Sequence, residues 1–299
     1  MGEKFGTLNS YDRKNTKIRP PIVDGIFYPD KKDKLAEEID LLFKETLKET
    51  RGKKKNDIFA LVTPHAALEY SGRLTAVAYN TLSERMIETV IILASMHRDP
   101  IRGFALPTAS FFELPGFRIP VNREYIEKIL SISKYAIYDD ISHFEEHSIE
   151  VQLPFIHHVL PKVDIVPILM GMAEEKLIME LSRVIFSLVK ENFSSMLIVV
   201  SSNMSSYLTG KDWKGEEAEM LRLIGEQDWK GMINGIRQGK VTACGAGCIA
   251  SLYAMQSLPG GVKMETSILD RTNSYLVNHD EKKVISYAAV AITGAIGSE

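Results

Sequence analysis

The stretch Ile58-Phe59-Ala60-Leu61-Val62-Thr63-Pro64-His65 is typical of a buried strand that runs into a histidine. The pattern recurs in Thr89-Val90-Ile91-Ile92-Leu93-Ala94-Ser95-Met96-His97, which places the second histidine 32 residues after the first. That interval suits a strand, a crossover helix and a second, parallel strand. Ligands of open α/β sheets bind beyond the carboxyl ends of the strands, so we expect both imidazoles at one ligand-binding edge.

Helical and strand patterns alternate along the rest of the chain. Helices are predicted at 31–50, 71–83, 122–133 and 174–192, and buried strands at 163–170, 196–200 and 283–291. No repeat or linker marks a domain boundary. We therefore predict one α/β domain over residues 1–299, with residues 1–18 as a loose N-terminal arm. Its central sheet should be mostly parallel or mixed and flanked by helices.

The composition is that of an ordinary globular protein. The chain has 299 residues, 45% of them hydrophobic and 25% charged, a net charge of −3 and a pI of about 6.2. This balance argues against a nucleic-acid or anionic-membrane surface. Two cysteines give no disulfide framework, and no apolar run approaches the ~20 residues of a membrane span. Because a signal-peptide core is also missing, we expect a cytoplasmic protein that binds neither nucleic acid nor membrane.

A third metal ligand is offered by Cys244, far downstream in Ala243-Cys244-Gly245-Ala246-Gly247-Cys248. With His65 and His97 it would make a small metal site at the sheet edge. The alternative is that each histidine is a hydrogen-bonded loop residue and that the cysteine is a small buried apolar residue. A single histidine would favour this alternative, but the repetition of a histidine after a strand makes the metal site equally well supported.

A second cluster lies in His143-Phe144-Glu145-Glu146-His147-Ser148-Ile149-Glu150. Taken alone it matches H-x-x-E-H, the inverted zincin motif, in which two histidines share a helix face and a glutamate is the base. The alternative is a helix start whose acidic residues are stabilised by the helix dipole. Pro154 would end or kink a helix within two turns of His147.

Several segments together resemble the Memo-like proteins, whose prokaryotic branch is called AmmeMemoRadiSam system protein B. The similarity runs in order from about residue 19 to 293, and its most specific parts are E-H-S-[IL]-E-x-x-L-P-[FY], matched by 146–155, and P-H-A-x-x-x-Y-S-G, matched by 64–72. Residues 19–29, 166–171 and 286–289 also match.

The resemblance implies a fold similar to that of class III extradiol dioxygenases, which carry a non-haem iron at the sheet edge. It implies the same metal ligands, His65, His97 and Cys244. It makes His147 and Glu150 catalytic candidates beside the metal, and it places Tyr70, Asn203 and Ser206 at the substrate. The family's system name also implies a radical-SAM partner.

Two positions depart from the family pattern S-S-D-x-[SC]-H, because this chain has Ser201-Ser202-Asn203-Met204-Ser205-Ser206. Neither the amide of Asn203 nor the hydroxyl of Ser206 can act as a general base near neutral pH. Acid–base chemistry that depends on the usual Asp–His pair is therefore in doubt, although the three ligands are kept.

Two imidazoles and one thiolate suit iron(II), copper or zinc rather than magnesium or calcium. We expect one transition-metal ion, with iron as the first choice. Without metal, Cys244 could instead be a redox-active thiol with Cys248 as its resolving partner. Three functions follow: a metal-dependent oxidoreductase acting on an unknown small molecule, a metal-binding or scaffold protein without catalysis, and a zinc hydrolase built on His143 and His147.

Overall fold

The computed structural model describes residues 17–48, 50, 57–82, 86–205 and 213–297. Most of the predicted N-terminal arm, residues 1–16, lies outside the described residues. Its last residue, Ile18, begins a short strand that pairs with Phe111. Among the described helices, none is long and apolar enough to cross a bilayer.

The strands, numbered along the chain, are β1 Ile18–Arg19, β2 Ile58–Thr63, β3 Thr89–Ser95, β4 Phe104–Leu106, β5 Phe111–Leu114, β6 Phe117–Pro120, β7 Ala136–Tyr138, β8 Asp164–Met170, β9 Met196–Ser201, β10 Val262–Asn273 and β11 Ser286–Ile296. The α-helices are α1 Lys32–Thr46, α2 Leu68–Tyr79, α3 Arg123–Ile132, α4 Asp140–Glu145, α5 Leu153–Val159, α6 Glu175–Val189, α7 Trp213–Glu226, α8 Trp229–Arg237, α9 Ala246–Ala254 and α10 Tyr275–Asn278. Single 3₁₀ turns cover Glu150–Gln152 and Met255–Ser257.

The main sheet is mixed. Within the described residues its order is β10-β11-β2-β9-β3-β8-β4-β7, and β2, β9, β3 and β8 run parallel at its centre. Strands β10, β11 and β4 pair antiparallel with their neighbours toward the centre. A small sheet, β1-β5-β6, lies apart. The predicted mixed sheet flanked by helices is confirmed.

The central strands are buried along nearly their whole length because their sequences are continuously apolar. Helix α1 packs on α2 and α5, while α6 and α8 pack on α9. Helix α6 buries one apolar face, with Leu177, Leu181, Ile185 and Leu188, whereas α9 is buried along its whole length. Each helix predicted from periodicity forms within a few residues of its expected bounds.

The carboxyl ends of β2, β9 and β3 lie side by side, because β9 pairs with both of the other strands. The register sets Thr63 of β2 opposite Ser201 of β9, so the residues that follow these strands emerge together. The strand-to-histidine pattern therefore describes two strands of the same sheet separated by one further strand, rather than direct neighbours. His65, His97 and the segment after Ser201 share one edge.

Candidate metal centre

The three predicted ligands converge at this edge of the sheet. The ligand atoms of His65, His97 and Cys244 all lie within 4.8 Å of one another, and Cys244 Sγ is 3.2 Å from His65 Nε2. The two imidazole rings meet edge to face, with their centroids 5.1 Å apart. Residues separated by up to 179 positions thus form one compact donor set.

The tautomer of His65 is set by a buried serine. Ser201 Oγ donates its only proton to the Ser148 carbonyl at 2.7 Å, so it must accept from His65 Nδ1, 3.0 Å away. Nδ1 therefore carries a proton, and Nε2 faces Cys244. His65 is only 2% exposed, so this arrangement is screened from water.

Gln152 holds that serine in place. Its amide donates to Ser201 Oγ at 3.1 Å and to the Pro64 carbonyl at 2.8 Å, while its Oε1 accepts from Thr63 Oγ1 at 2.8 Å. Each member of this buried network has a partner, which favours a single geometry. The sequence alone did not identify Ser201 or Gln152 as supports of the site; the only signal was their place in the 146–155 and 201–206 stretches.

His97 is oriented by Glu146. Its Nδ1 lies 2.9 Å from one carboxylate oxygen and 3.0 Å from the other, and its backbone N–H donates to the same group at 2.9 Å. A carboxylate can only accept, so Nδ1 carries a proton and Nε2 is left for a ligand bond. The hydrogen bonds that the protonated His97 ring donates to Cys244 and Glu146 raise its pKa to about 10 in the metal-free protein.

The thiol of Cys244 lies just before α9. Burial opposes ionisation, but the charge and hydrogen bonds of His65 and His97 outweigh it and hold the pKa of Cys244 well below its usual range. The Asn203 backbone N–H also donates to Sγ at 3.3 Å. The site therefore favours a thiolate, which is the form that binds metals.

This donor set fits a transition-metal ion. Both histidines have their Nδ1 atoms engaged by Ser201 or Glu146, the usual second hydrogen bond of a metal-bound imidazole. Two nitrogens and one thiolate sulfur match iron, copper or zinc and not a hard cation such as magnesium. Three protein ligands also leave positions open for a substrate.

His147 completes a second group beside the first. Its Nδ1 lies 3.3 Å from Glu146 Oε1, and its ring stacks on that of His97 at a centroid distance of 5.3 Å. Burial, together with the charge of His65, lowers the pKa of His147 to about 4. The imidazole is therefore neutral and able to accept a proton throughout the neutral pH range.

A cavity of about 400 Å³ opens directly onto the site. Two of the three predicted substrate contacts, Tyr70 and Asn203, line it, as do His65, His97 and His147. The third, Ser206, lies outside the described residues. The remaining lining residues are Phe27, Ala66, Ala67, Ser274, Asn278, Asp280, Lys283, Ile285 and Tyr287.

Comparison with known proteins assigns the family. A family model for Memo-like protein matches residues 19–291. The chain belongs to the Memo-like family. A MEMO1 family protein of Thermococcus kodakarensis is 31% identical over 297 residues, covering 91% of this chain and 98% of the relative. One from Thermotoga neapolitana is 29% identical over 283 residues, covering 92% and 100%.

A solved structure shares the fold at much lower identity. It is the crystal structure of uncharacterized protein JW3007 from Escherichia coli K12, with a TM-score of 0.52 and 12% identity. The match covers 78% of this chain and 98% of that one. This supports the fold of the Memo-like chain and carries no statement about its activity.

The inverted zincin prediction is wrong for this Memo-like protein. Helix α4 ends at Glu145, so His143 and His147 do not share a helix face. The His143 ring is buried, donates from Nε2 to the Ala105 carbonyl at 3.1 Å and packs edge-on against Phe112. Among the described residues, His143 belongs to no group that could hold a metal ion.

Glu150 lies apart from the cluster. It is fully buried, and its carboxylate accepts from Arg19, from Tyr28 and from the backbone N–H groups of Ile22 and Val23. It does not line the cavity. These partners give it a structural role, so the catalytic role predicted for Glu150 has no support in the geometry.

Cys248 is equally unsuited to the resolving role. It is fully buried in α9, and burial raises the pKa of its thiol to about 12. A thiol that stays protonated near neutral pH is a poor nucleophile. The pair Cys244 and Cys248 is therefore better described as one candidate ligand and one core residue.

Proposed function

We propose that this Memo-like protein holds one transition-metal ion between His65, His97 and Cys244 and uses it in oxidoreductase chemistry on a small molecule in the adjacent cavity. The observation that carries the proposal is the convergence of the three ligand atoms, with the outer nitrogen of each imidazole already hydrogen-bonded. Preorganisation of this kind is typical of metal sites. Iron is the first candidate, because of the resemblance to extradiol dioxygenases, with copper and zinc next.

When bound, the metal would supply redox or Lewis-acid chemistry at the open end of the donor set. The chain itself supplies orientation and a proton acceptor. Glu146 fixes the His97 ring and shares its charge with His147. Since His147 is neutral and lines the cavity, it is the group best placed to take a proton from a bound substrate.

The second candidate function is metal binding without catalysis. It is favoured by Asn203, whose Oδ1 accepts from the His65 backbone N–H at 3.2 Å and so serves the fold. An amide at this position cannot transfer a proton. Under this alternative the protein binds the metal but has no turnover, so His147 does not act as a base. The radical-SAM partner implied by the family resemblance stays a prediction under both functions.

Elemental analysis of anaerobically purified protein tests the metal. We expect about one iron, copper or zinc ion per chain in the wild type and in Cys248→Ala, the matched cysteine control. Cys244→Ala and His97→Ala should lose most of it, because each removes a ligand. Equal metal content in all four proteins would contradict the proposal.

Dioxygen consumption of the metal-loaded protein, measured with candidate reductants and substrates, separates the two functions. A His147→Gln variant that keeps its metal should lose about 10²–10⁴-fold in turnover if His147 is the base. His158→Gln is the matched control, because that ring stacks on Phe43 away from the donor set. Equal turnover in wild type and His147→Gln would reject His147 as the base. No turnover in any of the proteins would favour metal binding without catalysis.

A further inference from the structure

The wall of the cavity beside the donor set carries a tyrosine hydroxyl that has no hydrogen-bond partner among the described residues. Tyr287 of β11 is only 2% exposed, and it lines the cavity together with the two histidine ligands. Within the part of the chain that the structure describes, its hydroxyl makes no hydrogen bond. Among the described residues, it is not one of the buried polar atoms that are both unpartnered and closed to solvent, so it is reached from the cavity and is free to donate to a molecule bound there.

A second tyrosine faces the same space. Tyr70 of α2 lines the cavity and is close enough to Tyr287 to contribute, after burial, to raising the pKa of that phenol. Within the described ranges the Tyr70 hydroxyl also lacks a hydrogen-bond partner. A tyrosine hydroxyl has one O–H to donate, so both side chains can donate a hydrogen bond into the cavity.

The amide of Asn203 supplies a third donor. Its Oδ1 already accepts from the His65 backbone N–H, and that bond fixes the orientation of the amide because only the oxygen can accept. The half of the amide that remains is the NH₂ group, which only donates. Asn203 lies on the cavity wall with the two tyrosines.

The other walls are apolar or balanced in charge. Phe27, Ala66 and Ala67 give an apolar surface, and the cavity volume of about 400 Å³ is in the range of small-molecule sites. Asp280 and Lys283 contribute one charge of each sign. The two tyrosines and Asn203 thus offer hydrogen-bond donors in the same cavity as the acceptor nitrogen of His147, and a ligand oxygen that accepts would pair with those donors.

We propose that the cavity binds a small organic molecule through a carbonyl or carboxylate oxygen that accepts from Tyr287, with Tyr70 and Asn203 as further donors and an apolar body against Phe27. This deepens the proposed function by naming the class of its substrate. It assigns to Tyr287 the recognition of that oxygen, a role distinct from metal binding.

Benzoate, benzamide and benzylammonium are suitable probes, because they share one apolar ring and differ in the polar group. We expect benzoate and benzamide to bind in calorimetry and benzylammonium, which only donates, to show no measurable binding. The ratio of benzoate to benzamide affinity tells whether the acceptor is anionic or neutral. Each titration is run with metal-free and zinc-loaded protein, and metal content is measured on the same samples.

The decisive variant is Tyr287→Phe. It should weaken benzoate or benzamide binding about tenfold, the effect of one lost hydrogen bond, in both metal states. Its unfolding free energy should not fall, because the hydroxyl has no partner among the described residues. Asn203→Asp should weaken benzoate more than benzamide, since it replaces a donor with a negative charge.

Tyr253→Phe is the matched control. The Tyr253 hydroxyl is bonded to Thr266 Oγ1 at 3.0 Å and does not line the cavity. This variant should lower stability and leave binding unchanged. The inference is overturned if neither acceptor probe binds, if benzylammonium binds equally well, or if Tyr287→Phe binds like the wild type. If one of these results is found while the wild type binds about one metal ion per chain, only the substrate proposal is refuted. If the wild type binds no metal, the proposed function itself is refuted.

Discussion

Glu146 and Glu150 lie four residues apart in one short segment, and both are buried, yet their surroundings differ completely. Glu146 faces two imidazoles, those of His97 and His147. Glu150 faces a guanidinium, a phenol and two backbone N–H groups. One carboxylate orients His97, a candidate metal ligand, and the other anchors the N-terminal segment to the fold.

The comparison shows that a carboxylate acquires its role from the groups that donate to it. Arg19 connects the two: besides pairing with Glu150, it donates to the His143 carbonyl at 3.0 Å and to the Glu146 carbonyl at 2.8 Å. The buried ion pair thus holds the backbone that presents Glu146 to His97. The following predictions separate the anchoring side from the metal side.

Breaking the anchor should have the largest effect. Glu150→Gln leaves Arg19 buried at 1% exposure without its counter-charge. Removing one partner of a buried ion pair typically costs about 3–5 kcal/mol of stability, so urea unfolding should show a loss of that size. Folded Glu150→Gln should still bind about one metal ion per chain. A loss below about 1 kcal/mol would show that the pair is not an anchor.

Acid should weaken the anchoring side next. Burial lowers the pKa of His143, which lies beside Arg19, to about 4. In the unfolded chain His143 is protonated below its ordinary pKa of about 6.5, whereas in the folded protein it stays neutral down to about pH 4. The contribution of His143 to the free energy of unfolding is therefore complete above pH 6.5 and is lost as the pH falls toward 4. The expected loss is about 3 kcal/mol across this window. His143→Gln should make the loss of stability between pH 6.5 and 4 smaller without abolishing it, because His147 also has a pKa of about 4. A loss as large as that of the wild type would contradict the assignment.

Changing the metal side should affect metal binding more than folding. Glu146→Gln keeps the size of the side chain but replaces the carboxylate behind His97 with a weaker acceptor. Loss of such a support typically costs about 10–100-fold in metal affinity, which competition titration with a chelator would measure. Glu174→Gln is a suitable control, because that carboxylate pairs with exposed Arg102. Equal affinity in Glu146→Gln and wild type would reject the orienting role.

Sequence reasoning located most of the central fold because the buried strands are continuously apolar. Periodicity found α1, α3 and α6, and strand patterns found β2, β3, β8, β9 and β11. The short strands β4 to β7 were missed, since three or four residues carry little pattern, and so was β10, whose burial is irregular. Their pairing is set by the rest of the sheet.

The site was predictable to the level of ligands and no further. His65 and His97 are marked by strand ends, and both of them and Cys244 by family resemblance. The roles of Ser201, Gln152 and Glu146 as supports are shown only by their distances, although all three lie in stretches that the resemblance points to. The matched spacing of His143 and His147 was misleading, because α4 ends between them. Local spacing predicts a shared face only where the helix continues.

X-ray absorption of the zinc-loaded protein tests the central claim most directly, namely that His65, His97 and Cys244 bind the same ion. We predict one sulfur neighbour at about 2.3 Å and imidazole nitrogens at about 2.0–2.1 Å, with the sulfur lost in Cys244→Ala and kept in Cys248→Ala. A wild-type zinc ion surrounded by nitrogen and oxygen alone would contradict the account.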